Sequence, residues 1–323
     1  MTGPLLELRH LSTHYVSARG TRVTRAVDDV SLSLDQGGTL GIVGESGSGK
    51  TTLALTLLRL LPPAARIVTG AIDFEGEDLT RKSDAEMRRI RGKRIAMILQ
   101  DPMASLNPLF TIGDQVAGPI RVHEGVGRGR ALAQASELLR AVRIAAPERR
   151  VREYPHEMSG GMRQRIVGAI AISCEPRLLI ADEPTTSLDL TIQAQYLSLL
   201  RDLQRAHDLA LVFITHNLGI VAKMCDQVAV MYAGRLVESG PVTQIFDAPA
   251  HPYTRALIES IPRFGDARRR LTAIEGQPPD PANLPAGCAF HPRCPAAMDR
   301  CRAEAPPEFR VANAHTSRCW LSG

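Results

Sequence analysis

The chain has 323 residues, 44% of them hydrophobic, and a net charge of +5. That is enough apolar material for one large packed domain with an added piece, or for two domains. No apolar run approaches the roughly 18–20 residues that a bilayer-spanning helix needs. The first residues lack the basic-then-apolar layout of a secretory leader. The expected compartment is therefore the cytosol, where structural disulfides are not expected among the six cysteines. Basic clusters stand at Arg88 to Arg94, at Arg149-Arg150 with Arg152, and at Arg268-Arg269-Arg270. No aromatics interleave with them, so they read as solvated surface or a face near anionic headgroups, and no nucleic-acid partner is expected.

In chain order, the first 35 or so residues show short alternating stretches and predict an antiparallel β layer. Leu40-Gly41-Ile42-Val43 predicts a short buried strand. It runs into Gly44-Glu45-Ser46-Gly47-Ser48-Gly49-Lys50-Thr51, a complete G-x-x-x-x-G-K-[ST] phosphate loop. A helix is predicted from Thr52 onward. Glycines let successive backbone N–H groups converge on one anion, and the helix N-terminus adds partial positive charge. Lys50 would reach the β- and γ-phosphates, and the Thr51 hydroxyl would bind Mg²⁺. Only four lysines stand among 39 basic residues, which makes this one less accidental.

Three further apolar runs end on polar residues: Ile95–Leu99 at Gln100, Leu178–Ala181 at Asp182-Glu183, and Ala210–Ile214 at Thr215-His216. Continuous apolar runs of this length predict strands of a parallel sheet. Ligands bind beyond the carboxyl ends of such strands, so four segments would deliver polar groups to one edge. Residues 102–157 read as mostly helical, with breaks at Pro102, Pro108, Pro119 and Gly125–Gly129. Residues 227–240 read as a strand, a turn at Ala233-Gly234-Arg235 and a return strand. From Pro262 onward the character changes, with nine of the 22 prolines and four of the six cysteines.

This set resembles the ATP-binding subunits of ABC transporters, and within them the D-type subunit of bacterial oligopeptide/dipeptide importers. The marks are Gly44–Thr51, Gln100–Pro108, Tyr154–Arg165 with its Ser159-Gly160-Gly161, Asp182–Asp189, Thr215-His216 and His251-Pro252-Tyr253-Thr254. The resemblance implies an α/β fold: a P-loop ATPase with a parallel-sheet core, an antiparallel β layer, a helical subdomain and a C-terminal cysteine-rich extension. It implies a nucleotide-binding domain over 1–261, with the helical subdomain near 101–158, and an extension over 262–323. In that family Asp182 would hold Mg²⁺ through water, and Glu183 would polarise the attacking water. Gln100 would touch the Mg²⁺ or the lytic water, and His216 the γ-phosphate. Tyr15 would stack on adenine, with Thr52 beside the loop. Ser159-Gly160-Gly161 would open a second anion-binding helix start that reaches the ATP of a partner subunit, with Asp189 at that contact.

The implied activity is ATP hydrolysis coupled to peptide import. The implied partners are two transmembrane permeases, a sister ATPase in a head-to-tail pair and an extracytoplasmic substrate-binding protein, with this subunit peripheral on the cytoplasmic face of the inner membrane. The alternative reading is a soluble ABC ATPase acting on nucleic acid or ribosomes. Met158 and Met162 replace the usual Leu and Gln of the signature, and Asn217 stands where Asp is usual. Cys174 and Cys225 are expected in the core.

The tail cysteines Cys288, Cys294, Cys301 and Cys319 are spaced x5, x6 and x17. A tail rich in Pro and Arg buries little and needs a staple. Four thiolates in a reducing compartment suggest a metal, and the spacing leaves zinc and iron–sulfur open. Resemblance to cluster-bearing members of the family implies a 4Fe–4S cluster with a structural or redox-regulatory role.

Overall fold

The computed structural model describes residues 3–18, 20–186, 188–261 and 274–323. The Arg268-Arg269-Arg270 cluster, Ser187 and the start of the expected extension lie outside the described residues. In chain order the strands are β1 (Leu6–Val16), β2 (Val23–Leu34), β3 (Thr39–Val43), β4 (Ala65–Phe74), β5 (Glu77–Asp78), β6 (Ile95–Ile98), β7 (Leu178–Asp182), β8 (Ala210–Thr215), β9 (Gln227–Tyr232), β10 (Arg235–Pro241), β11 (Phe309–Ala312) and β12 (His315–Ser317). The helices are α1 (Lys50–Leu57), α2 (Asp84–Ile90), α3 (Pro102–Ser105), α4 (Ile112–Glu124), α5 (Arg128–Ala141), α6 (Pro147–Arg150), α7 (Gly160–Ile172), α8 (Leu190–Ala206), α9 (Leu218–Met224), α10 (Val242–Asp247), α11 (Pro252–Glu259) and α12 (Asp299–Ala303). None of the described helices is long and apolar enough to cross a membrane.

The chain divides into two units. The first holds residues 1–35, 39–81 and 213–323, and the second holds 36–38 and 82–212. In the first unit, β1 pairs antiparallel with both β2 and β4, and β5 edges β4. This is the antiparallel layer the N-terminal pattern predicts. A second sheet of this unit runs β11-β12-β10-β9-β3. Here β3 and β9 are parallel, while β10, β12 and β11 continue antiparallel. The chain beyond 274 is thus hydrogen-bonded into the sheet that carries the phosphate loop. Ala233 and Gly234 both have positive φ, 49° and 85°, as a tight hairpin turn between β9 and β10 requires.

In the second unit, β6 and β7 pair in parallel, Ile95 opposite Leu178 and Ile98 opposite Ala181. All five residues of β7 are buried, as an uninterrupted apolar run implies. Helices α4, α5 and α7 pack on one another through Ile112, Val116, Ile120, Ala131, Ala135, Leu139 and Ile166. Two of the expected helix breaks are not breaks. Pro102 is the first residue of α3, where a missing N–H costs nothing. Pro119 lies inside α4. Its ring would clash with a preceding Cβ, but Gly118 has none, and burial of Val116, Ala117 and Ile120 holds the helix through the lost bond. The break at Gly125 is real: Gly125 ends α4 in the left-handed region at φ 67°. Cys174 and Cys225 are buried, as expected.

Candidate functional site

In the first unit, buried β3 ends at Val43 and the chain turns through 44–49 into α1. Gly49 caps α1 at φ 104°. A Cβ there would stand 2.0 Å from the Ala26 carbonyl oxygen, so only glycine lets the loop pass that strand. The Lys50 ammonium folds back over the loop, donating to the carbonyls of Gly44 and Glu45 at 2.8 Å each and to Ser48 Oγ at 3.3 Å. Lys50 and Ser48 are buried, whereas Ser46, Gly47 and Thr51 are exposed. Half-buried Tyr15 places its hydroxyl 3.4 Å from Thr52 Oγ1. The structure therefore brings this aromatic to the first turn after the loop. His216, also of this unit, is exposed just after β8. Asn217 caps α9, accepting from the Ile220 N–H at 3.3 Å. The departure from Asp at this position thus keeps a side-chain oxygen for the cap.

In the second unit, Asp182 ends β7 and is 2% exposed. Glu183 follows with φ 47°, a left-handed conformation rare for a side-chain-bearing residue and concentrated at functional sites. Its carboxylate accepts from Thr186 Oγ1 at 2.9 Å and from the Gln100 amide at 3.4 Å. Gln100 and Glu183, far apart in sequence, are thereby brought together. Ser159 caps α7, accepting from the Met162 N–H at 3.3 Å. Asp189 caps α8 through the N–H groups of Thr191 and Ile192, both at 3.0 Å. These two helix starts line one open hollow, with Gly160, Gly161, Met162 and Arg165 on its walls. A Cβ at Gly161 would meet Ile192 Cγ2 at 2.8 Å, which accounts for a small residue there.

Cys288, Cys294, Cys301 and Cys319 line one small pocket, walled by Pro252, Phe290 and Trp320. All are free thiols. The Cys288 N–H donates to the Cys301 carbonyl at 2.8 Å, which ties two of the four together through backbone. Burial pushes Cys288 up to about 11 and raises Cys294 and Cys319. Burial thus favours the protonated thiol at these three positions. Among the described residues no three His, Cys, Asp or Glu side chains are spaced to chelate a single metal ion.

Sequence reasoning did not anticipate what holds Glu45. Its carboxylate pairs with both terminal nitrogens of Arg293, at 2.6 and 3.0 Å, and its N–H donates to the Tyr253 hydroxyl at 2.9 Å. In the sequence Tyr253 stands out only as part of His251–Thr254, and nothing marks Arg293.

Residues 27–186 match the family described as ABC transporter, and residues 237–301 that described as oligopeptide/dipeptide transporter, C-terminal region. The chain is 50% identical over 320 residues to the probable peptide ABC transporter ATP-binding protein y4tR of Sinorhizobium fredii, covering 98% of this chain and 95% of that one. It is 46% identical over 315 residues to the dipeptide transport ATP-binding protein DppD of Escherichia coli, covering 98% and 96%. To the oligopeptide transport ATP-binding protein OppD of Haemophilus influenzae it is 46% identical over 319 residues, covering 99% and 98%. Among solved structures, a dimeric post-hydrolysis state of the ATP-binding cassette MJ0796 bound to ADP and Pi matches 73% of this chain and 98% of that one, with a TM-score of 0.66 at 23% identity. CbiO1 from Clostridium perfringens matches 76% and 91%, with a TM-score of 0.64 at 24% identity. These likenesses show the ABC ATPase fold of mixed sheet and helices. The chain belongs to the ATP-binding subunits of ABC transporters, in the branch of peptide importers. It is an ATPase of that type. The relatives lend no support to a nucleic-acid or ribosome ATPase.

Proposed function

We propose that this ATPase powers the import of peptides across the inner membrane, as a peripheral subunit on its cytoplasmic face. It would work with two transmembrane permeases, a sister ATPase and an extracytoplasmic substrate-binding protein. The observation that carries this is the presence, in one chain, of the ABC motifs and of the peptide-transporter C-terminal region, with 50% identity across nearly the whole length to a probable peptide transporter subunit.

In this reading residues 44–52 wrap the triphosphate, Lys50 takes its terminal phosphates and Tyr15 faces the adenine. Thr51, Asp182 and Gln100 would hold Mg²⁺, which offsets the charge of the transferring phosphoryl group. The left-handed turn at Glu183 and its contact with Gln100 support a water-orienting role for that carboxylate. His216 contacts the γ-phosphate. The hollow at Ser159–Gly161 and Asp189 serves the ATP of the partner subunit, so two ATP molecules are buried in a head-to-tail pair. ATP closes the pair because it touches both subunits only when closed.

The thiol pocket is proposed to hold a 4Fe–4S cluster, with zinc the alternative. Cys288, Cys294, Cys301 and Cys319 line one apolar pocket, and four cysteine thiolates are the donor set that such a cluster takes. When bound, the cluster would staple the tail and supply a redox centre. Cys288, Cys294, Cys301 and Cys319 would give up their protons to hold it, and Phe290 and Trp320 would screen it from water. The complex should co-purify from gently solubilised native membranes with two polytopic proteins, a second ATPase and an exported binding protein. Recovery only from soluble fractions with ribosomal or DNA-associated partners would overturn this reading.

A further inference from the structure

A carboxylate is the wrong charge for a loop that cradles phosphates. Glu45 nevertheless sits second in the loop, where the motif leaves the residue type free. Every polar group of Glu45 is engaged. The carbonyl accepts from the Ser48 N–H at 3.2 Å and from the Lys50 ammonium. The N–H goes to the Tyr253 hydroxyl. The carboxylate takes the Arg293 guanidinium by both of its ends. The Arg293 side chain is only 4% exposed. It also donates to the carbonyls of Ile274 and Glu275 and to the Tyr232 hydroxyl, and it lies against the rings of Tyr232 and Phe290. A two-pronged, buried guanidinium fixes both the position and the charge of its partner in a way that an ammonium does not.

We propose that Arg293 and Tyr253 are positioning residues of the phosphate loop: Arg293 turns the Glu45 carboxylate aside and cancels its charge, so that the loop accepts a nucleoside triphosphate. This rests on reading residues 44–51 as the phosphate loop. Residues near the C-terminus, more than two hundred positions downstream, thereby set the affinity of a site assembled near the N-terminus. Arg293 is also adjacent to Cys294, so one short segment serves both the thiol pocket and the loop.

The test is ATP affinity, by titration with Mg-ATP on the full chain, together with KM and kcat in the assembled transporter. Arg293→Gln leaves Glu45 charged and unheld, and its ATP affinity should fall at least about tenfold, with KM rising more than kcat falls. Adding Glu45→Gln to that variant removes the stranded charge and should restore most of the affinity. A merely structural Arg293 would show no such rescue, because the second substitution returns no packing. Arg293→Lys keeps the charge without the fork and should fall between wild type and Arg293→Gln. It also serves should Arg293→Gln not fold. Tyr253→Phe should raise KM about threefold, as loss of one hydrogen bond implies. Unchanged affinity in folded Arg293→Gln or Arg293→Lys, or a loss that Glu45→Gln does not repair, would overturn the proposal. Lys50→Ala is the control: if that chain binds ATP as wild type does, the loop reading itself fails, whatever Arg293 does.

Discussion

Gly49→Ala tests whether the path of the phosphate loop is set by close backbone approach. The residue has φ 104°, and its added Cβ would lie 2.0 Å from the Ala26 carbonyl oxygen and 2.8 Å from Met231 Cε. The methionine can swing away, but the β2 carbonyl is fixed by its strand. Left-handed backbone costs a non-glycine residue about 1–2 kcal/mol, and forcing an extra carbon into packed surroundings adds about 1–3 kcal/mol. Gly47→Ala is the matched comparison: φ is 79°, but nothing lies within 4 Å of its Cβ. It should cost only the backbone part, about 1–2 kcal/mol. Because Gly49 also accepts the first helical bond, from the Leu53 N–H at 2.9 Å, its displacement shifts the start of α1. A shift near 1 Å is worth about a hundredfold in a positioned site. Denaturant unfolding and an Mg-ATP titration on both variants would measure this. Equal stability and equal ATP affinity for the two alanine chains would refute the argument from close approach.

The buried His251 predicts an acid sensitivity. Its Nδ1 accepts from the Tyr253 N–H at 3.0 Å, and burial pushes its pKa from 6.5 down to about 3. Above pH 6.5 it is neutral folded and unfolded. As pH falls through that value the unfolded chain binds a proton the folded chain refuses, so stability falls toward pH 3, by about 1.4 kcal/mol at pH 5.5 relative to the high-pH limit. His251→Asn retains a capping acceptor without this titration, and its melting temperature should depend less on pH between 7 and 5; identical pH slopes would contradict the burial argument. Lys50→Ala should abolish detectable ATP binding, and wild-type affinity would remove Lys50 from the site. For the tail, anaerobically purified chain should carry about four irons and absorb near 400 nm; one zinc per chain and no such band would replace the cluster with zinc.

The phosphate-loop segment and its flanking elements were legible because the pattern is local. The loop, the strand before it and the helix after it are contiguous, and the apolar runs that end at Gln100, Asp182 and Thr215 declare their strands by length alone. Gln100 meeting Glu183 was legible only as convergence at strand ends. The left-handed turn at Glu183 carries no signal in a motif where proline follows. Pro119 misled because helix packing outweighs a single lost bond when the preceding residue is Gly118. The grip of Arg293 on Glu45 was invisible for a different reason: a surface-type arginine and a free motif position acquire meaning only once the folded chain seats Arg293 against Tyr232 and Phe290, beside Glu45. Chain separation of this size leaves no periodicity to read.

The central claim, that ATP hydrolysed at this chain drives peptide import, is tested most directly by one paired measurement. Glu183→Gln and wild-type complexes, reconstituted in vesicles, would be assayed for ATP turnover and ATP-dependent peptide uptake in the same preparation. Glu183→Gln should retain bound ATP and accumulate the closed pair, while turnover and uptake fall together by about a hundredfold or more. Near-normal turnover in that variant, or wild-type turnover with no peptide uptake, would contradict the account.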